Sequence, residues 1–227
     1  MIALRTEVKE QFEYFNEVIK RAEKIAVFTR DCDLQKEQIE ILVTYIDNLT
    51  NFKNENKEKY SEEELNLLLC LIISADAVQK ELQMVISLKS NEMFVAWASL
   101  VQAQNNVSIV ARNHPLSDGK YLNGYVHKLM AFEQTLFPKM FFSSVGEIIK
   151  KSICSYCKID YEECEHIKGK MYMGELCVRE IHEAELEEVS IVENPANKMC
   201  IQIEEDFEGK TVDSFTLVKR KENSDGK

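Results

Sequence analysis

The first 114 residues contain neither glycine nor proline, and the whole chain of 227 has only seven and three. Together these two types make up roughly 12% of average sequence. Half of this chain is thus free of the strongest helix breakers and turn formers. Long apolar runs are also missing. The longest, Leu67–Ile73, falls well short of the roughly 18–20 residues that a membrane-spanning helix needs. The first residues are charged and lack an apolar stretch followed by small residues, so no secretory signal is expected. Positive charge is in deficit. Lys and Arg number 28 against 39 Asp and Glu, for a net charge of −11. Nucleic-acid affinity rests on basic side chains neutralising phosphates, so this balance argues against a nucleic-acid binder. The 45% hydrophobic content is ordinary for a folded protein with a real core.

What is present first is helical periodicity. Phe12, Phe15, Ile19, Ala22 and Ala26 trace one face, and Ile39, Leu42, Val43, Ile46 and Leu49 a second. Leu65, Leu68, Leu69, Ile72 and Ile73 begin a third. Val95, Ala98, Leu100, Val101, Val107 and Val110 line a fourth. Asp33 is placed to cap the second helix, and Ser61 with Glu64 reads as a capping box for the third. Ser90 or Asn91 is expected to open the fourth helix, and His114-Pro115 to end it. After a turn at Leu116–Gly119, a fifth helix is expected from Lys120 to Leu136, stopped by Pro138. Short connections make these an antiparallel bundle. Trp97, among Ala96, Ala98, Ser99 and Ala103, reads as bundle core. The polar run Gln102–Asn106 either hydrogen-bonds across the bundle or faces a partner.

The style changes after Pro138. Met140–Val145 is a candidate strand and Glu147–Lys151 is ambiguous. Leu176–Ile181, Leu186–Val192, Met199–Ile203 and Phe215–Val218 carry β-type sequence, with turn signals at Asn194-Pro195 and Glu208-Gly209. The apolar Met140-Phe141-Phe142 is suited to sealing the strand-rich part onto the bundle. The expected class is α+β: a helical bundle over 1–138, a small zinc-stabilised β-containing domain over 139–220, and a polar tail over 221–227.

Seven cysteines, an odd number with no visible signal peptide, point to a reducing, cytoplasmic setting rather than a disulfide framework. Four of them fall within 24 residues. The spacing Cys154-x2-Cys157-x6-Cys164-x-His166 supplies three thiolates and one imidazole from two short segments, a favoured structural zinc set. Thiolate softness selects Zn2+ over magnesium or calcium. Four protein ligands leave no open coordination position, so the metal's expected role is structural and coupled to folding. Cys177 either replaces His166 as the fourth ligand or packs as a small apolar residue. Cys32, Cys70 and Cys200 read as core or surface thiols.

Glu188-Val189-Ser190-Ile191-Val192-Glu193-Asn194-Pro195-Ala196-Asn197 resembles a strand-and-turn segment of phage head maturation (prohead) proteases. The likeness covers about ten residues. Cys164-Glu165-His166-Ile167-Lys168-Gly169, with Tyr172 and Gly174, looks like zinc segments found beside such sequences in phage-associated proteins. The resemblance implies a β-fold fragment and a phage-related context. The glycine-flanked serine of a protease is missing ahead of the phrase, so no catalytic residue is carried over.

Catalytic signatures are sparse. There is no Gly-x-Ser-x-Gly, no phosphate-cradling glycine loop and no His-Glu-x-x-His; His182-Glu183 lacks its second histidine. Ser143, Ser144 and Ser190 stand without supporting residues. Arg112-Asn113-His114, at a helix end, resembles the Arg/His pair of helical ribonucleases, although its spacing is shorter than that pattern. Adjacent acids such as Glu187-Glu188 and Glu204-Glu205-Asp206 point to opposite faces of a strand and read as solvated. Between Asp160 and Glu188, ten acids against three bases disfavour nucleic-acid recognition by the cysteine cluster. The expected function is a non-catalytic interaction or adaptor subunit of a bacterial or phage-related complex, anti-phage defence included, with protein partners and no membrane. The alternative is hydrolytic: a divergent phage-type maturation protease or a helical ribonuclease.

Overall fold

A computed structural model describes residues 4–26, 29–114, 120–201, 204–207 and 210–215. Five α-helices come first: α1 (Thr6–Ala26), α2 (Cys32–Glu55), α3 (Glu62–Lys89), α4 (Met93–Asn113) and α5 (Lys120–Leu136). Six strands follow: β1 (Phe142–Cys154), β2 (Met171–Tyr172), β3 (Glu175–Leu176), β4 (Arg179–Val192), β5 (Glu204–Phe207) and β6 (Lys210–Asp213). They form three two-stranded antiparallel sheets, β1–β4, β2–β3 and β5–β6. The class is α+β, as the sequence indicates.

The third helix is central because it is apolar on more than one side. Leu65, Leu67, Leu68 and Leu71 are all buried, and neighbours in sequence point in different directions around a helix. It packs against α1, α2 and α4. Its N-terminus is held by the expected capping box. The Glu64 backbone N–H donates to Ser61 Oγ, and Ser61 N–H donates to Glu64 Oε2. The same buried carboxylate also accepts the Arg5 backbone N–H at 2.8 Å. Glu64 thus ties the start of α1 to the start of α3. Glu64→Ala should lower the urea midpoint by the equivalent of about 2 kcal/mol without changing the m-value. Glu64→Gln, which keeps one carbonyl acceptor, should cost less.

Two helix starts differ from the sequence reading. The cap of α2 is Asp31, whose side chain accepts from the backbone N–H groups of Asp33 and Leu34. Asp33 already lies inside the first turn. Neither Ser90 nor Asn91 opens α4. Ser90 caps the end of α3, Asn91 adopts a left-handed conformation (φ 58°), and Glu92 precedes α4 without a side-chain cap. The connection is too short for a separate capping residue. Val43 and Val95, assigned to apolar faces, are about two-fifths exposed. The turn expected at Leu116–Gly119 lies outside the described residues, whereas α5 has the expected bounds.

Several polar side chains are matched across the bundle. Gln35 Nε2 donates to the Ala26 carbonyl at the end of α1, and Gln35 Oε1 accepts from Lys89. Gln104 donates to Glu133, and Asn106 to Asp76. Within the polar run of α4, Gln104 and Asn106 therefore bond across the bundle, whereas Gln102 and Asn105 are exposed.

Strand bounds also differ. The ambiguous stretch Glu147–Lys151 lies in the middle of one thirteen-residue strand, β1. The separate strands expected at Leu176–Ile181 and Leu186–Val192 are replaced by β3, a short link, and the continuous β4. Met140 precedes β1 and is buried against the bundle. Of Met199–Ile203, only Ile201 makes a bridge, to Phe142; residues 202–203 lie outside the described residues. Strands β5 and β6 flank the expected turn at Glu208-Gly209, which is outside them as well, as are 216–218 and the tail 221–227.

The β1–β4 ribbon is fastened to the bundle at both ends. At one end Phe142 lies 6.0 Å, ring to ring, from the buried Trp97, and the Trp97 Nε1–H donates to the Lys198 carbonyl. Lys198 Nζ reaches Glu133 at 2.6 Å. The turn at Asn194–Asn197 is thereby held next to α4 and α5. At the other end sits the cysteine cluster.

Candidate metal centre

The last residue of β1, Cys154, enters a tight turn. Its N–H donates to the Ile159 carbonyl, and Lys158 N–H donates back to the Cys154 carbonyl. This turn brings Cys157 back beside Cys154, and Lys158 takes a left-handed conformation (φ 60°) to close it. A second turn is set by Asp160, whose carboxylate accepts the Glu162 N–H and whose carbonyl accepts the Glu163 N–H. It returns Cys164 and His166 to the first pair. The ligand atoms of Cys154, Cys157, Cys164 and His166 all lie within 4.8 Å of one another. Cys157 Sγ is 3.4 Å from Cys164 Sγ, and His166 Nδ1 is 3.2 Å from Cys164 Sγ. These four residues can hold one metal ion. Among the described residues they are the one Cys/His/Asp/Glu group with this geometry.

A fifth donor stands beside them. Cys177 is fully buried, with its Sγ 3.6 Å from Cys154 Sγ. It lies in the link between β3 and β4 rather than on a strand. Electrostatics in the cluster are uneven. Burial would raise the Cys154 thiol, but the Cys157 and Tyr156 N–H groups and the thiols of Cys164 and Cys177 outweigh it. Together they bring it down to about 6. Burial pushes Cys164 up to about 11, opposed by the His166 N–H and assisted by Cys157 and Cys154. Burial and then Cys154 push Cys177 up to about 11. The Cys154 thiolate is thus favoured, and its charge disfavours ionisation of Cys164 and Cys177.

The imidazole is oriented by rings. Tyr156 and Tyr172 stand edge-on to His166 with centroids at 4.8 and 4.6 Å. The Tyr172 hydroxyl accepts the Ile167 N–H, and the Tyr161 hydroxyl accepts the Lys168 N–H. Arg179 lies over the Tyr161 ring and donates to Ser152 Oγ.

The knuckle is bolted to the bundle by Lys53, Lys57 and Asn66, which sequence reasoning did not single out, and by Asn113 and Gly174, which it marks for other reasons. The β2–β3 hairpin turns at Met173-Gly174, both with positive φ (48° and 74°), as a tight two-residue turn requires. A side chain at 174 would meet the Leu65 backbone carbonyl at 3.2 Å, so glycine is needed there for proximity as well as for φ. Asn66 of α3 accepts the Gly174 N–H and donates to the Met171 carbonyl. Asn113 of α4 accepts the Met171 N–H and donates to the Gly169 carbonyl. Lys53 of α2 donates to the Gly174 carbonyl, and burial lowers its pKa against the opposing pull of Glu175. Lys57 pairs with Glu175. Met171 fills the space beside Cys70 and Val110.

The residues considered for catalysis are otherwise engaged or dispersed. Asn113 is committed to the knuckle, and Arg112 Nε donates to the Ser108 carbonyl of its own helix. Ser190 Oγ donates to Glu188, and Ser143 and Ser144 sit opposite Ile191 and Ser190 in the ribbon. His182 is exposed on β4. No helix among the described residues is long and apolar enough to cross a membrane. No family model, curated protein or solved structure matches the chain.

Proposed function

We propose that this protein is a non-catalytic interaction subunit whose Cys154, Cys157, Cys164 and His166 hold a structural Zn2+ in a bacterial or phage-related protein complex. The observation that carries this reading is the arrangement of the knuckle. Four protein donors converge within 4.8 Å and saturate a tetrahedral ion. Their surroundings are spent on fixing the knuckle to α2, α3 and α4. Such a centre holds a shape rather than activating a substrate. The net charge of −11 favours protein partners over nucleic acid.

The test is elemental analysis of natively purified protein, with co-purifying chains identified from the same sample. One zinc per chain with a stoichiometric partner supports the proposal. Absence of metal, with freely reactive Cys154, Cys157 and Cys164, removes it. A paired substitution identifies the fourth ligand. His166→Ala should weaken zinc binding much more than Cys177→Ala, because the four mutually close donor atoms include His166 Nδ1. Competition against a chromophoric chelator measures both.

A further inference from the structure

The β1–β4 ribbon is anchored at its two ends and bare between them. From Ile181 to Val189 every residue of β4 is exposed. A strand that covered a core would show alternation along one face. The outer edge of β1 is partly closed: Ser143 N–H donates to the Cys200 carbonyl near one end, and Ile153 bridges to Asp160 near the other. The outer edge of β4 has no strand beside it among the described residues. An open edge with a free face is a template for one more strand.

The register identifies the chemistry of that template. Val145 lies opposite Val189, and Ser143 opposite Ile191, on the face turned away from the buried Phe142 and the partly buried Val192. The irregularity after Gly146 sets Leu186 opposite Glu147, on the same face. Val145, Leu186, Val189 and Ile191 are 53, 66, 60 and 70% exposed, forming an apolar strip on a surface otherwise rich in charge. The fourteen residues of β4 include five glutamates and one arginine. Glu180 and Glu185 have lysine partners, whereas Glu183, Glu187 and Glu188 make no ion pair among the described residues. A second copy of the chain would set this acidic edge against its like and is opposed by charge.

We propose that the β4 edge binds an extended peptide segment of a protein partner, one that alternates basic and apolar residues and adds as a third strand to the ribbon. Backbone pairing supplies the affinity, the strip from Val145 to Ile191 takes the apolar side chains, and the unpaired glutamates take the basic ones. This deepens the interaction-subunit reading by naming the surface and the class of partner, and it rests on that reading.

The probe is a fluorescent, end-blocked peptide of about nine alternating lysines and valines, a strand's length, titrated with the full-length protein and followed by anisotropy. Saturable binding is expected, weakening at high salt. It should fall at least tenfold when alternate peptide amides are N-methylated, because one edge of hydrogen bonds is then lost. Leu186→Lys and Glu187→Lys should each weaken it while leaving zinc content and helicity unchanged. Equal binding of the methylated peptide, or of a block-sequence peptide of the same composition, would overturn the proposal by reducing it to charge attraction. No binding would overturn it too, as would a sedimentation shift to a dimer abolished by Leu186→Lys, which would make the occupant a second copy. A partner that still co-purifies with the Leu186→Lys protein would sink the ribbon proposal and leave the interaction-subunit reading standing.

Discussion

With Zn2+ held as proposed, Cys164→Ser is expected to abolish metal binding and release the knuckle, while α1–α5 remain helical. Zinc contributes about 10–16 kcal/mol of apparent binding free energy in small zinc-folded peptides, and that binding energy is folding energy. Cys164 touches both Cys157 Sγ and His166 Nδ1, so removing its sulfur takes away the group that joins the two halves of the site. The loss of affinity should exceed the roughly 10–100-fold typical of losing an outer partner. Hydrogen exchange locates the effect. Amides from 152 to 179 should lose protection, as should the docking contacts at Asn66 and Asn113, while the buried middle of α3 keeps its own. Chelation of the wild-type protein should give the same map. The sign of the pH dependence follows from the thiols. Cys154 is brought down to about 6, whereas Cys164 is held up at about 11. Loading at neutral pH therefore displaces a proton from Cys164, and affinity rises with pH. A map in which the knuckle stays protected without metal would contradict the structural role assigned to the ion.

The second large effect is expected far from the metal. Lys128→Met should destabilise the protein by about 3 kcal/mol, since removing one partner of a buried pair strands the other charge. Glu81 of α3 is fully buried, and Lys128 Nζ lies 2.8 Å from its Oε2. The same ammonium rests 4.4 Å from the centre of the Tyr125 ring. Tyr125 is driven well up by burial and by the adjacent Glu81 charge. For a chain of this length about 3 kcal/mol corresponds to roughly 6–12 °C in Tm. The double variant Glu81→Gln/Lys128→Met should recover most of the loss, because it removes the stranded charge along with its partner. Calorimetry on the two variants decides it. A Tm for Lys128→Met within about 2 °C of wild type would show that solvent reaching the partly exposed Lys128 screens the pair.

The helices were readable in the sequence because their signals are local. Freedom from glycine and proline, the box Ser61–Glu64, and stops at His114-Pro115 and Pro138 act within a few residues. Two of the starts were missed for equally local reasons: Asp31 caps one residue before Cys32, and Glu92 follows a turn too short to carry its own cap. The long strands were harder. A ribbon exposed on both faces has no inside: Glu147–Lys151 gives no clear period, and the alternation in Glu183–Glu187 marks no core face, since every residue there is exposed. The gathering of Cys154, Cys157, Cys164 and His166 follows from spacing alone. The partners that seat them do not. Lys53, Asn66 and Asn113 are 121, 108 and 56 residues from the backbone groups they bind, and each is an ordinary polar residue of a helix. Tyr156 carries no marker in sequence that would tie it to His166, and Tyr172 stands out only as part of a short likeness, not as a ring against the imidazole.

The docking of the knuckle also orders events during synthesis. Helices α3 and α4 leave the ribosome before the segment that covers them. The chain between Asn113 and Leu176 takes roughly 3–13 s to make at about 5–20 residues per second. During that interval the hollow at Cys70 and Val110, which Met171 later fills, faces the cell uncovered. The nascent bundle is therefore sticky for seconds. On the proposed reading, what ends this interval is the seating of the β2–β3 hairpin, which follows the four metal-binding residues off the ribosome. If the ion they hold is zinc, as proposed, its scarcity would first be felt not at a site on a finished molecule but in the completion of each new one.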